Sequence, residues 1–492
     1  MGGFSPEAHG ISSGNIKQYL QSLEDGGLSM HSMILERGGE ILFEQYWEPF
    51  HIDSCHRLYS VSKSFVGIAI GFLEQEGYIA LDDTILKYFP EEKQYVEDEM
   101  MKRQTIRNML MMSTSRCGRY WFDDKPTDRV HYYFSSVEKQ NQKPTTVFEY
   151  DSDASFVLGA LVERLTGQNF IDFLRKRLFD KIGISSEIKC LKCPGGHSWT
   201  DSAIICTSRD LLKFARFVMN QGCVGEEQII DKEFMKEATS KLIDNNDWGF
   251  HTHNTEGYGY QIWRTYDNSF AFMGMGCQFA ICVPEKDLIF VCTADNQGIT
   301  YAPKLIFDGF FQYIARPAID VAERKFNEIE ELEQYCSKLK LAVAVGKKDT
   351  EFSKEIDGVR YKMDSNPMGI KWFELHLKKE ENTFIYENAQ GVKTLSFGMC
   401  KNEFSLFPEE GYSREVGTVS AIGNYYKCAA SAAWIEEKKL SLKVQVIDEY
   451  FGRLNITLGF HDDMVGISMR KAAEDFMKEY EGYGIGYRIR TN

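Results

Sequence analysis

The spacing of apolar positions divides the chain into two stretches of different character. Up to about residue 315, helical and strand patterns are mixed. Residues 32–36 and 40–46 are short apolar runs around Arg37-Gly38-Gly39, a turn signal, and predict a hairpin. Residues 60–76 recur with helical period and stop at Gly77, which suits a C-cap. Residues 155–165 predict a second apolar helix, ended by Thr166-Gly167. Residues 208–219 predict a third, with Thr207 or Ser208 as N-cap. Between 258 and 293 the pattern changes to strands, at 258–264, 270–273, 278–283 and 288–293. Consecutive strands with short turns imply an antiparallel sheet. Residues 301–315 read as a closing helix, and helices with such a sheet make an α+β domain.

Arg316-Pro317 ends that helix. A charged helical stretch at 321–339 then reads as a connector. From about 351 the chain is short strands and turns, clearest at 373–377, 383–386, 393–397, 440–446 and 453–458, as in an up-and-down barrel or sandwich. Residues 472–480 predict a short terminal helix. The expected division is therefore 1–317 for the α+β domain, 318–350 for the helical connector and 351–492 for the β domain. No repeat or low-complexity segment interrupts it.

A length of 492 residues is consistent with two or three domains. With 43 % hydrophobic and 26 % charged residues, the composition excludes a disordered chain. The net charge of −15 argues against nucleic acid as a partner. The first residues carry no basic and apolar leader pattern. The longest apolar run, 65–73, is about half of the ~20 residues a membrane span needs. These features predict a cytoplasmic protein without a membrane partner. They leave a homo-oligomer open. The 12 cysteines, among them Cys55, Cys117, Cys190, Cys193 and Cys206, are scattered and read as reduced core residues. Cys190-Leu-Lys-Cys193, with His197 close behind, lacks the second pair that a zinc knuckle needs. It precedes Pro194-Gly195-Gly196 in a Lys-rich loop rather than a strand-to-helix turn. No metal and no cofactor is expected.

The candidate chemistry begins at Tyr59-Ser60-Val61-Ser62-Lys63, at the head of the first long helix. Residues three apart share a helix face, so the Lys63 amine reaches the Ser60 hydroxyl. Serine is a poor nucleophile without an adjacent base, which a neutral lysine amine provides. The N–H of Ser60, at a helix N-terminus, suits an oxyanion. At Phe148-Glu-Tyr150-Asp-Ser152, a tyrosine precedes a serine by two, just before an apolar helix.

With these two motifs the chain resembles the serine β-lactamase and penicillin-recognising superfamily, in its class C-like branch. Further landmarks follow in order. Residues 77–90 resemble the stretch after the nucleophile helix, and 105–112 the helix that usually ends in His-Thr-Ser-Gly. Here that end reads Met112-Ser113-Thr114-Ser115-Arg116. Cys206-Thr207-Ser208-Arg209-Asp210-Leu211 resembles the Ser-Thr-x-x-Asp-Leu start, and the likeness covers about residues 5–315. It implies a hydrolase in which Ser60 forms an acyl-enzyme, Lys63 and Tyr150 move protons, and Ser152 faces the substrate. Phe272-Met273-Gly274-Met275-Gly276-Cys277-Gln278 resembles the Gly-x-Gly-x-Gln variant of amidase- and esterase-like members. That likeness implies the N–H of Cys277 as second oxyanion donor and places Met275 and Gly276 beside the substrate. No cation stands in this motif to bind the carboxylate of a penicillin or stem peptide. Arg264 is a candidate substitute. The substrate implied is a small ester or amide. A β-lactamase, a D-amino-acid peptidase and a catalytically silent binding protein remain alternatives. Residues 429–434 and 469–474 resemble the lipocalin-like barrel appended to some members, with aromatics as its core.

Overall fold

The structure is a computed structural model that describes residues 6–115, 127–136, 146–246, 252–378, 382–473 and 476–489. Arg116, Cys117 and Glu474 lie outside them. The chain forms two units, Met1–Lys340 with Arg414–Gly417, and Leu341–Ser413 with Thr418–Asn492.

The first unit is built on a six-stranded antiparallel sheet. Its strands are β1 (Met30–Arg37), β2 (Glu40–Tyr46), β3 (Trp263–Thr265), β4 (Ser269–Gly274), β5 (Gln278–Val283) and β6 (Leu288–Ala294), in the order β2-β1-β6-β5-β4-β3. The β1–β2 hairpin forms as the turn signal predicts, with Gly38 and Gly39 both at positive φ, which glycine adopts without Cβ strain. Every residue of β5 and β6 is buried, because helices cover both faces. On one face lies helix α1 (Ser13–Asp25), whose Ile16, Tyr19, Leu20 and Leu23 share a core with Ala302, Ile306 and Phe307. On the other face lie α2 (Ser62–Gln75), α3 (Arg129–Ser135), α4 (Ser152–Thr166) and α5 (Ser208–Met219). Phe65 of α2 stacks on Phe214 of α5 at 3.7 Å.

Two sequence expectations change here. The run 258–264 forms a strand only from Trp263. Gln261, at a φ of 61°, turns the chain, and Tyr258 and Tyr260 are buried in that turn. The charged stretch after Pro317 contributes a helix, Phe326–Cys336, that packs along α1. Its Leu332 and Cys336, one turn apart, enter the core of the first unit, while Glu328 accepts from Ser12 and Glu331 from Lys17.

The second unit is a closed barrel. Its strands are β7 (Arg360–Met363), β8 (Trp372–Leu377), β9 (Asn382–Asn388), β10 (Gly391–Met399), β11 (Glu403–Tyr412), β12 (Ser420–Glu436), β13 (Lys439–Ile447), β14 (Phe451–His461), β15 (Met464–Ala473) and β16 (Gly482–Arg488). They hydrogen-bond in the order β10-β9-β8-β7-β16-β15-β14-β13-β12-β11. A short parallel pairing of Gly398 and Met399 with Ser431 and Ala432 joins β10 to β12, closing nine strands with β11 outside the ring. Alternation places Leu440, Leu442, Val444 and Val446 of β13 inside, with Ile456 and Leu458 of β14. Phe373, Phe384, Tyr386 and Trp434 fill the interior as core aromatics. Of the terminal helix expected at 472–480, residues 474 and 475 lie outside the described residues, and none of the described ones is helical. Ala472 and Ala473 extend β15 and pair with Arg453 and Gly452, and Tyr480 sits in a turn against Tyr386. The inward alternation of Val465, Ile467 and Met469 overrides the helical propensity of the alanines.

Candidate active site

The backbone around Ser60 departs from the helix that its spacing predicts. Tyr59–Val61 forms one 3₁₀ turn, and the α-helix proper, α2, begins at Ser62. Tyr59 has a positive φ of 49°, a costly conformation for a bulky side chain. Its surroundings hold it there. The N–H of Leu58 donates to the carbonyl of Ile204 at 2.8 Å. The Arg57 guanidinium lies over the Tyr59 ring at 4.5 Å and over Trp199 at 4.4 Å, and its Nε donates to the Ser202 carbonyl at 2.9 Å. The strained residue thus turns Ser60 out of the core while its neighbours stay buried.

Lys63 is 2 % exposed. Its Nζ lies 3.0 Å from Ser60 Oγ and donates to the Asp201 carbonyl at 2.7 Å. The same Nζ lies 5.1 Å from the centroid of the Tyr150 ring, so the structure brings Ser60, Lys63 and Tyr150 together. Tyr150 stacks on Trp263 at 5.5 Å, and Trp263 in turn contacts Phe148 and Tyr258 edge-on. Ser152 is the first residue of α4, which Asp151 caps by accepting from the N–H of Ala154. Thr114 donates to the other oxygen of Asp151 at 2.8 Å, fixing the altered loop against the tyrosine motif.

Strand β4 approaches closely. A Cβ on Gly274 would lie 2.2 Å from the Leu58 carbonyl, so only glycine fits beside the turn that carries Ser60. Gln278 then clamps the following turn. Its Nε2 donates to the carbonyls of Met275 and Ala294, and its Oε1 accepts from the N–H of Ala294. The Gly-x-Gly-x-Gln pattern therefore describes a turn and its clamp. Within that turn, Cys277 does not hold the position expected of it. Its N–H donates to the Gly274 carbonyl at 3.2 Å, and its side chain is buried in the core of the first unit. Met275 is 41 % exposed, and its N–H has no hydrogen-bond partner among the described residues. Gly276, at a φ of 74°, lets the chain turn between them.

Arg264 points away from Tyr150. Strand alternation puts it on the face opposite Trp263, where it donates to the Thr239 carbonyl at 2.7 Å and to Asn268. The Cys193 N–H donates to the His197 carbonyl at 2.8 Å, while the His197 ring turns to Glu163, with which its Nδ1 pairs at 2.9 Å. Burial pushes the Cys193 thiol up to about 12. Among the described residues, no group of three or more His, Cys, Asp or Glu side chains is placed to hold a metal ion. Among them, also, no helix is long and apolar enough to cross a membrane.

Sequence spacing missed Arg129, Asp153, Asp201 and Trp263. Arg129 is buried and forked between Asp153 and Asp201, at 2.7 Å to each. Burial alone would lower its pKa, but the two carboxylates outweigh burial and raise it above the usual arginine range. The three residues are far apart in the chain and share no motif. Trp263 was visible only as one member of an aromatic run.

Residues 16–303 match the family described as Beta-lactamase. The chain belongs to the β-lactamase family. It is 25 % identical over 261 residues to the 6-aminohexanoate-dimer hydrolase of Paenarthrobacter ureafaciens, covering 50 % of this chain and 67 % of that one. It is 29 % identical over 135 residues to penicillin-binding protein 4 of Amycolatopsis lactamdurans, covering 27 % and 35 %. Among solved structures, a penicillin-binding protein homologue from Caulobacter crescentus superposes with a TM-score of 0.51 at 14 % identity, over 63 % of this chain and 99 % of that one. That likeness is one of fold. The family, with relatives named as hydrolases, places this chain among β-lactamase-fold hydrolases.

Proposed function

We propose that this β-lactamase-family chain is a serine hydrolase that cleaves a small carboxyl ester or amide through an acyl-enzyme on Ser60. The observation that carries the reading is Lys63 Nζ at 3.0 Å from Ser60 Oγ, with both held at the head of a buried helix. Ser60 Oγ attacks the substrate carbonyl carbon, and its proton passes to the Lys63–Tyr150 pair. The carbonyl oxygen becomes an oxyanion, held by the N–H groups of Ser60 and Met275. Met275 takes the place expected of Cys277, because the Cys277 N–H is spent on the Gly274 carbonyl. Tyr150, beside Lys63, passes the proton to the leaving alcohol or amine as the tetrahedral intermediate collapses. Water then adds to the acyl carbon, losing a proton to the same pair. The carboxylic acid departs and Ser60 regains its proton. Ser152, Met275 and Gly276 face the substrate.

The neutral edge Met273-Gly274-Met275-Gly276 supports an ester or amide without a nearby carboxylate. Arg264, the one candidate substitute cation, is committed to Thr239 and Asn268. The relative named 6-aminohexanoate-dimer hydrolase supports hydrolysis as the reaction.

A panel of p-nitrophenyl esters, p-nitroanilides and nitrocefin tests the substrate class. Ester or anilide turnover with little nitrocefin turnover is expected. Turnover of nitrocefin alone would replace the reading with a β-lactamase. No turnover and no acylation by any of the three would leave a binding protein on the same fold.

A further inference from the structure

Arg129 lies outside the residues that touch the substrate in the mechanism above, yet it joins the two segments that carry them. It belongs to α3, and its guanidinium is 2 % exposed or less. Nε and Nη2 donate to Asp153 Oδ1 at 3.1 and 2.7 Å. Nη1 and Nη2 donate to Asp201 Oδ1 and Oδ2 at 2.7 and 3.2 Å. The plane also lies over the Phe156 ring at 4.3 Å, one turn further along α4.

The two carboxylates have different jobs. Asp153 is the second residue of α4, immediately after Ser152 and three after Tyr150. Asp201 offers its backbone carbonyl to Lys63 Nζ at 2.7 Å. That contact uses one amine hydrogen and so sets the direction of the remaining amine toward Ser60 Oγ at 3.0 Å. One rigid fork therefore fixes both the base that faces the nucleophile and the helix start that carries the tyrosine motif.

Stability gives no sufficient reason for such a group. A buried ionic triad costs so much desolvation that well-packed apolar residues often do as well or better. Here the cost is higher still, since Asp153 Oδ2 is buried with no hydrogen-bond partner among the described residues. What an apolar cluster cannot supply is direction: five N–H groups in a fixed plane.

We infer that Arg129 is a positioning residue of the proposed hydrolase, holding Lys63 through Asp201 and Tyr150 through Asp153 in one register. Cys193, whose sulfur lies 3.8 Å from Nη1, packs against the same fork. The inference rests on the Ser60 reading and adds to it the element that aligns its parts.

The test compares wild type, Arg129→Lys and Asp201→Asn, with Glu163→Gln as a control. Glu163 sits on the same helix α4 and also pairs with a basic side chain, the partly exposed His197, but among the described residues has no hydrogen bond to Lys63 or Tyr150. Each protein is followed by thermal unfolding, by labelling with a fluorophosphonate, and by kcat and KM on p-nitrophenyl butyrate. Arg129→Lys keeps the charge without the fork, and Asp201→Asn keeps the volume without the charge pair. Both are expected to lower kcat and the labelling rate at least about tenfold, with KM within about threefold, because misalignment acts on the reacting geometry rather than on binding. Glu163→Gln is expected to change the unfolding temperature and leave kcat near wild type. Should Arg129→Lys fail to fold, Asp201→Asn decides alone. Wild-type kcat in a folded Asp201→Asn or Arg129→Lys would overturn the inference and leave the Ser60 reading intact. Absence of labelling at Ser60 in wild type would overturn the Ser60 reading and the inference with it.

Discussion

The two units bury polar side chains on opposite principles. In the barrel, the buried polar residues among those described are few: Thr350, Asn382, Asn388, Ser431, Gln445 and Arg453. Its interior is otherwise aliphatic and aromatic, placed by strand alternation. The first unit buries Arg57, Lys63, Arg129, Asp153, Asp201, His31 and His56, and several of these converge within a few residues of Ser60. Burying a charge is costly unless it is paired and hydrogen-bonded, and even then it often adds little stability. The contrast separates a region in which burial serves packing from one in which, on the proposed function, burial serves the placement of reactive groups.

The largest expected effect lies at the centre of the polar region. Lys63→Met removes the group 3.0 Å from Ser60 Oγ and keeps the bulk of the side chain. It should lower the acylation rate about 10³-fold, read by stopped-flow with a p-nitrophenyl ester, with the unfolding temperature held or raised. A loss of fold without a loss of specific activity would erase the contrast.

In the barrel the order of effects should reverse. Leu442→Ala, at a fully buried inward position of β13, should cost about 3 kcal/mol in denaturant unfolding. Folded protein should keep wild-type kcat. Gly274→Ala tests the close approach of β4 to the turn that carries Ser60. Its Cβ would meet the Leu58 carbonyl, and the forced retreat should lower kcat about 100-fold. A wild-type rate would mean that β4 plays no part in catalysis.

The smallest effect is in pH. Burial pushes His56 down to about 4 from an ordinary value near 6.5, so the native state resists a proton that the unfolded chain accepts. Stability is then full above pH 6.5 and is lost as pH falls toward 4. The loss should be about 2 kcal/mol at pH 5 relative to pH 8. Chemical denaturation at the two pH values measures it, and His56→Gln should flatten the difference.

How much of this could be read in the sequence follows from the same contrast. The barrel strands were legible because inward residues such as Leu440, Leu442 and Val444 recur every second position. Ser60 and Lys63 were legible because a helical turn is a short-range rule. The turn at Tyr59, the Gln261 bend and the direction of the Cys277 N–H were not, since each depends on a positive φ imposed by distant neighbours. Gly274 and Gln278 were visible as letters of a motif, but their duties, close approach and clamp, came only with the Leu58 and Ala294 carbonyls beside them. The fork of Arg129 joins residues 24 and 72 positions away, beyond any periodicity. Ala472 and Ala473 show the converse error, a local helix pattern overridden by strand pairing.

The central claim is that Ser60 becomes covalently acylated. Intact mass of the wild-type protein, taken during turnover of p-nitrophenyl acetate and followed by peptide mapping, tests it directly. The account predicts one added acetyl group on the peptide that carries Ser60, and none in Ser60→Ala. An adduct of the same size on another residue, retained in Ser60→Ala, would contradict it.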